Sequence, residues 1–245
     1  ERVANKARGF DAARAWEIAQ YAAMTPDERR KVARQLRDRV YGTSCPDVRD
    51  AVAGLSGGAV TGEHLSGDTK ELLRLMERHR VRYLLVGGEA VIHYGYPRLT
   101  GNVDLFYDRS ATNAARLYEA LSEFWKGDVP AVASAEELTE PEVVVQFGRP
   151  PNRIDLLSSL GTSRYDGVAA ALEETLRLGR RRITLPIISL ADLLQSKRDA
   201  GRHKDLDDIA VLTARFAGLE MGTEGLVEAP RVRPRETELR ERGRS

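Results

Sequence analysis

The chain of 245 residues holds a single cysteine, Cys45. That excludes an intramolecular disulfide and fits a reducing compartment. No catalytic signature surrounds Cys45, so an inert thiol in a loop is a plainer reading than a nucleophile. No apolar run approaches the ~20 residues of a membrane span. The amino end is polar and of mixed charge, without a signal-peptide core, so a cytoplasmic protein that engages no membrane is expected. Charge of one sign is missing too. Lys and Arg number 38 against 37 Asp and Glu, a net charge of +1, and this balance decides nothing about nucleic acid. His64, His79 and His93 show no paired spacing, and with one cysteine no zinc site is expected. No internal repeat is visible.

What is present fits a soluble globular protein. Hydrophobic residues make up 42% of the chain, enough for one sizeable domain with an appendage or for two small domains. Residues 10–41 read as two helices. In the first, over 11–24, Ala12, Ala15, Trp16, Ala19 and Ala23 recur at helical spacing. The second starts at Thr25-Pro26-Asp27-Glu28, with Thr25 as N-cap, Pro26 at the first helical position and Glu28 completing a capping box. Its apolar stripe is narrow: Val32, Leu36 and Val40. Such a pair is too thin to fold alone, so it is expected to dock on the main domain of this chain or of a second copy.

Residues 42–67 contain six glycines (42, 54, 57, 58, 62 and 67) and few large apolar side chains, which reads as a linker. Asp68 is placed as the N-cap of a helix over 69–80. A domain over 68–217 follows, with strands over 81–87, 102–108, 142–147, 152–158 and 181–185. Helices are expected over 110–125, 166–178, 190–200 and 203–217. Strands alternating with helices predict an α/β (α+β) fold, a mixed sheet flanked by helices, with the N-terminal segment 1–41 as a helical hairpin appendage. The tail over 218–245 carries Pro230 and Pro234 among arginines and glutamates and reads as flexible.

The chemistry gathers around two strand-like runs. The first, Val81 to Val86, ends in Gly87-Gly88 and a short helix-like segment. After that comes Arg98-Leu99-Thr100-Gly101-Asn102-Val103-Asp104-Leu105, where alternation puts residues 102 and 104 on one face of a strand. Further on, Arg153-Ile154-Asp155-Leu156-Leu157 repeats the pattern. Mg²⁺ takes hard oxygen ligands, one or two carboxylates plus the phosphates of a substrate. Asp104 and Asp155 suit that role if their strands are neighbours; otherwise each is a strand-end residue facing water. Glycines without a Cβ let phosphate oxygens approach backbone N–H groups, although Gly87-Gly88 after a strand also suits an ordinary turn. Arg98 and Thr100 could meet phosphate oxygens just ahead of the strand, and Arg98 is otherwise a solvated loop charge.

Asn102 offers an amide oxygen but no charge, and it cannot act as a base. It marks a naturally impaired site, an inactivating substitution, or a variant that needs one fewer charge; all three stay open. Lys197 follows Leu190, Leu193 and Leu194 on a helix, so its stem is anchored while its ammonium could reach a triphosphate. Lys204, Asp205 and Asp208 open the next helix, where acidic residues also simply favour the helix dipole. His203 reads as a polar helix-start residue.

Together, Gly87-Gly88, the R-x-T-x-x-V-D-L run from Arg98, the R-I-D-L-L run from Arg153 and the L-L-x-x-K-R…G-R-x-K-D-L-x-D run from Leu193 resemble the minimal nucleotidyltransferases of the AbiEii/MenT toxin group. The resemblance spans residues 70–215 and rests on the order and spacing of the pieces. It implies a nucleotidyltransferase fold and Mg²⁺-dependent transfer of NMP from an NTP to an RNA (tRNA) 3′ end or a protein hydroxyl, with a cognate antitoxin as partner in many members. It puts Gly87, Gly88, Arg98 and Thr100 in the nucleotide-binding motif, Asn102 and Asp104 at the paired metal positions, and Asp155 at the third. Lys197 then contacts the triphosphate, and Lys204, Asp205 and Asp208 complete the far wall. Asn102 departs from the acidic residue expected there, which bears on turnover and not on fold. The rival implication is a module of the same fold that binds a partner without catalysis, antitoxin-like. The N-terminal helices have no counterpart in the minimal domain and could restrain the site or serve self-association.

Overall fold

The computed structural model describes residues 2–43, 65–161, 165–167, 170–178 and 181–220. Among them the strands are β1 (Ala4–Arg8), β2 (Tyr83–Val86), β3 (Asn102–Tyr107), β4 (Val143–Phe147), β5 (Arg153–Leu157), β6 (Ala170–Leu178) and β7 (Arg181–Ile188). The helices are α1 (Gly9–Ala23), α2 (Pro26–Tyr41), α3 (Gly67–Arg78), α4 (Gly87–His93), α5 (Ala111–Trp125), α6 (Leu190–Ala200) and α7 (His203–Glu220). The strands form one mixed sheet in the order β1-β4-β5-β3-β2-β7-β6. Pairs β3–β5 and β2–β7 are parallel, and the other neighbours are antiparallel. The chain is thus the expected α/β fold, a mixed sheet flanked by helices.

Strands β2, β4 and β5 are buried along their whole length; β2 is apolar on both faces, whereas β4 and β5 also bury Gln146, Arg153 and Asp155. Helices α3 and α5 close the core with Leu72, Leu73 and Met76 on one and Leu117, Leu121 and Phe124 on the other, each almost wholly buried. A buried side chain of this kind contributes ~1.5–3 kcal/mol. Asn113 of α5 braces the start of β2: its Oδ1 accepts from Arg82 N at 2.7 Å and its Nδ2 donates to Asp108 O at 2.6 Å. Ser189 caps α6 by accepting from Asp192 N at 3.0 Å. Gly201, at φ 58°, turns the chain sharply into α7.

Four expectations need correction. The run over 166–178, rich in helix formers, is largely strand β6. It pairs with β7 from Ala170↔Ile188 to Leu178↔Arg181, with one register shift between Ala170 and Leu172, and that hairpin ladder overrides propensity. Strand β7 accordingly runs on to Ile188. Helix α3 begins earlier than expected because Ser66, not Asp68, caps it, accepting from Thr69 N at 3.1 Å. The N-terminal segment is not purely helical, since β1 lies along β4 in register Ala4↔Phe147 to Arg8↔Val143.

Arg2 locks this strand down. It donates to Asp68 and Glu71 at 2.9 and 2.6 Å and to Phe124 O at 2.6 Å, with its guanidinium 4.0 Å over the Phe124 ring. The capping box at Thr25 and Glu28 forms as expected. On α1 the inward face is different: Ala13 and Gln20 are buried, with Glu17 and Tyr21 half-buried, while Ala12, Ala15 and Ala19 face out. That face joins Ala13 to the apolar core and otherwise meets polar partners, Arg153 and the Gly148 carbonyl. Cys45, His64, most of the glycine-rich segment and the tail beyond residue 220 lie outside the described residues.

Candidate active site

Strands β3 and β5 lie side by side, with Asp104 paired to Asp155 and Asn102 to Arg153. The period of two therefore puts all four side chains on one face. Asn102 sits between the carboxylates, and its Nδ2 donates to Asp104 Oδ1 at 2.7 Å and to Asp155 Oδ2 at 2.9 Å. Arg153 forks onto Asp155, Nε to Oδ1 at 2.7 Å and Nη2 to Oδ2 at 3.0 Å. Gln146 of β4 adds a donor to Asp155 Oδ2 at 3.4 Å and is itself bonded by Asn5 of β1 at 3.0 Å.

The glycine pair frames this floor. Gly87 has φ +66°, and a Cβ there would collide with the Asp104 carboxylate, coming within 2.7 Å of its Cγ. Only glycine combines that backbone with that approach. A Cβ on Gly88 would come 2.6 Å from Thr100 Oγ1. Thr100 itself donates to Asn102 O at 3.2 Å, steadying the start of β3. Burial and the like charge of Asp155 push the Asp104 carboxyl up to about 6, against the pull of Arg153, Lys197 and Lys204. Burial raises Asp155 as well, and the Arg153 fork, Gln146 and Asn102 oppose it.

A cationic wall comes from the corner between α6 and α7. Lys197 is only 5% exposed, and its ammonium sits 3.0 Å from Asp205 and 2.7 Å from Asp208. It is thus enclosed by two acids and reaches Asp104 through its field alone. Arg98 pairs with Asp208, and Arg202 forks onto Asp205 at 2.5 and 3.2 Å. Burial raises Asp205, but Arg202 and Lys197 outweigh it and hold the group low. Lys204 as a residue is exposed, but its side chain lies against the site, where partial desolvation and the nearby Arg202 and Arg98 lower its ammonium against the pull of Asp104 and Asp205. Four cations here face only two acids, Asp205 and Asp208, and such an excess of positive charge attracts a polyanion.

The N-terminal hairpin reaches the same place. Glu17 Oε2 of α1 lies 3.3 Å from Arg153 Nη2, and a Cβ on Gly101 would come 3.2 Å from Tyr21 OH. Gln20 donates to Gly148 O at 3.1 Å, and Arg39 of α2 donates to Pro151 O at 2.7 Å.

All the residues singled out from sequence are thus brought together: Gly87, Gly88, Arg98, Thr100, Asn102, Asp104, Asp155, Lys197, Lys204, Asp205 and Asp208. Arg153, Arg202, Gln146 and Glu17 belong with them and were not singled out. Arg153 and Arg202 flank motif residues, so position alone could have raised them. Glu17 and Gln146 carry no local signal.

The donor set admits Mg²⁺ in part. Among the described residues no three His, Cys, Asp or Glu side chains form a group that could hold a metal ion. Two carboxylates with an amide remain, and Mg²⁺ needs no more when phosphates complete its shell. Asp104 Oδ2, which accepts no hydrogen bond among the described residues, fits that role; both Asp155 oxygens already accept from protein donors. No helix among the described residues is long and apolar enough to cross a membrane. A scan of known family models finds no match to the chain, and a search of curated proteins finds none either.

Proposed function

We propose that this chain is a cytoplasmic, Mg²⁺-dependent nucleotidyltransferase of toxin–antitoxin or phage-defence type. It moves NMP from an NTP to the 3′ end of an RNA such as tRNA, or to a protein hydroxyl, at a rate held down by Asn102. One observation carries the reading: Asp104 and Asp155 stand in register on adjacent parallel strands against the Gly87-Gly88 turn. Arg98, Arg202 and Lys204 supply the charge a triphosphate requires.

Nucleotidyl transfer asks for positioning and charge neutralisation more than for covalent help. Bound Mg²⁺ would neutralise phosphate charge and leave the α-phosphorus open to attack. Asp104 is the carboxylate this chain offers it. Lys204, with Arg202 and Arg98 behind it, holds the β- and γ-phosphates and so the leaving pyrophosphate. Lys197 keeps Asp205 and Asp208 in place under that wall. Asn102 orients both carboxylates through its amide but accepts no proton, which limits turnover.

The Asn102 bridge favours a second reading, a nucleotide-binding module without turnover that acts through a partner, as an antitoxin does or by self-association. Labelled NTPs incubated with RNA and cell lysate separate the two. Asn102→Asp is expected to raise label transfer by about 10²-fold or more over the wild type. Nucleotide binding by calorimetry with no transfer from either protein supports the second reading. No nucleotide binding at all rejects both.

A further inference from the structure

Asp155 and Asp104 are not equivalent, although they face each other in register. Asp155 Oδ1 accepts from Arg153 Nε, and its Oδ2 accepts from Arg153, Asn102 and Gln146 at 3.0, 2.9 and 3.4 Å. Asp104 accepts from Asn102 alone, on Oδ1, among the described residues. Arg153 is 2% exposed and cannot swing away to solvent. Asp155 holds it on one side, and Glu17 of α1 approaches at 3.3 Å. A guanidinium keeps its proton under all ordinary conditions, and its fork matches a carboxylate edge to edge. Breaking such a buried pair is costly, because each member would be left desolvated and alone.

We propose that Arg153 is the fixed cation of this site, doing for Asp155 what a second metal ion does in two-metal phosphoryl-transfer sites, so that the site takes a single divalent cation on Asp104. The inference rests on the nucleotidyl-transfer reading above. Sites with two ions hold them ~3.5–4 Å apart between shared acidic ligands. Here the residue between the acids is a neutral amide, and one of the two acids is already matched by a protein charge. Asp104 is the carboxylate with no fixed cation at hydrogen-bond distance. Arg153 is then a positioning residue, acting through Asp155, and Glu17 makes the N-terminal hairpin part of the support of the site.

Electron paramagnetic resonance of Mn²⁺, standing in for Mg²⁺, tests this on the full chain with an α,β-methylene NTP analogue that cannot be transferred. One Mn²⁺ per chain is expected for the wild type and for Arg153→Lys, which keeps the charge. Arg153→Gln, checked for folding by circular dichroism, is expected to take a second ion. Two ions in the wild type or in Arg153→Lys would overturn the inference and leave nucleotidyl transfer standing. A folded Arg153→Gln that still holds one ion would overturn it as well. Analogue bound with no ion, or neither bound, would overturn the inference together with the Mg²⁺-dependent reading.

Discussion

Asp104 shows what a buried carboxylate costs the protein that carries it. Its carboxyl is raised to about 6 by burial and by Asp155, so the folded state holds the proton more tightly than the unfolded chain does. Stability tied to this group is therefore present at low pH and is lost as pH rises from the ordinary value of 3.8 through about 6. Removing the charge should reverse that loss. In a chelating buffer, Asp104→Asn is expected to gain up to ~3 kcal/mol at pH 7.5 and nothing near pH 3.5, as read by urea unfolding at both values. An equal difference at the two pH values would count against a raised carboxyl. The glycines make a second test. Gly87→Ala places a methyl against Asp104 at a positive φ and should cost ~1–3 kcal/mol. Gly88→Ala meets Thr100 at Oγ1 and Cβ, 2.6 and 2.9 Å away, but without the positive φ of Gly87, and should cost less; the reverse order in thermal melts would show that Asp104 does not rest on Gly87. The acids and glycines were legible because alternation and a missing Cβ leave marks in a single strand. Arg153 and Gln146 were not, because a polar residue on a strand declares its burial only once its neighbours are known.

At the scale of elements, the corner between α6 and α7 sorts residues that look alike in sequence. Lys197 and Lys204 both read as triphosphate contacts, yet one is enclosed by acids and the other is exposed. Lys197→Met should destabilise the fold by ~3 kcal/mol, since Asp205 and Asp208 would lose a buried counter-charge. Lys204→Met should leave the melting temperature within about 2 °C while weakening NTP binding about tenfold. Calorimetry and thermal denaturation of both variants check this, and a swap of the two phenotypes would reverse the assignment. Strand β6 was illegible for a different reason. Its sequence, AALEETLRL, satisfies a helix locally, and only the ladder to β7 selects the extended form. Helix α1 was recognised as a helix but not in its orientation, because the face it turns inward bonds to Arg153 and Gly148.

For the whole molecule, the class of fold followed from alternating strands and helices, while the strand order depended on long-range pairing that no local pattern encodes. The first forty residues illustrate this: they supply an edge strand and a site contact as well as two helices. Deleting residues 1–43 should therefore expose the β4 edge and yield an aggregating product, not a free, well-behaved domain. A soluble, monomeric truncation with an unchanged circular dichroism spectrum would show β1 to be dispensable. The β1–β4 pairing also has a consequence in time. Ala4 is synthesised well before its partner Phe147, with β2 and β3 between them in the chain. Closing so long a loop is entropically slow, and β1 must wait for a sheet to join. Glu17 lies on α1, which follows β1 directly, and meets Arg153 of β5, so this contact can form only once the chain between them has been made.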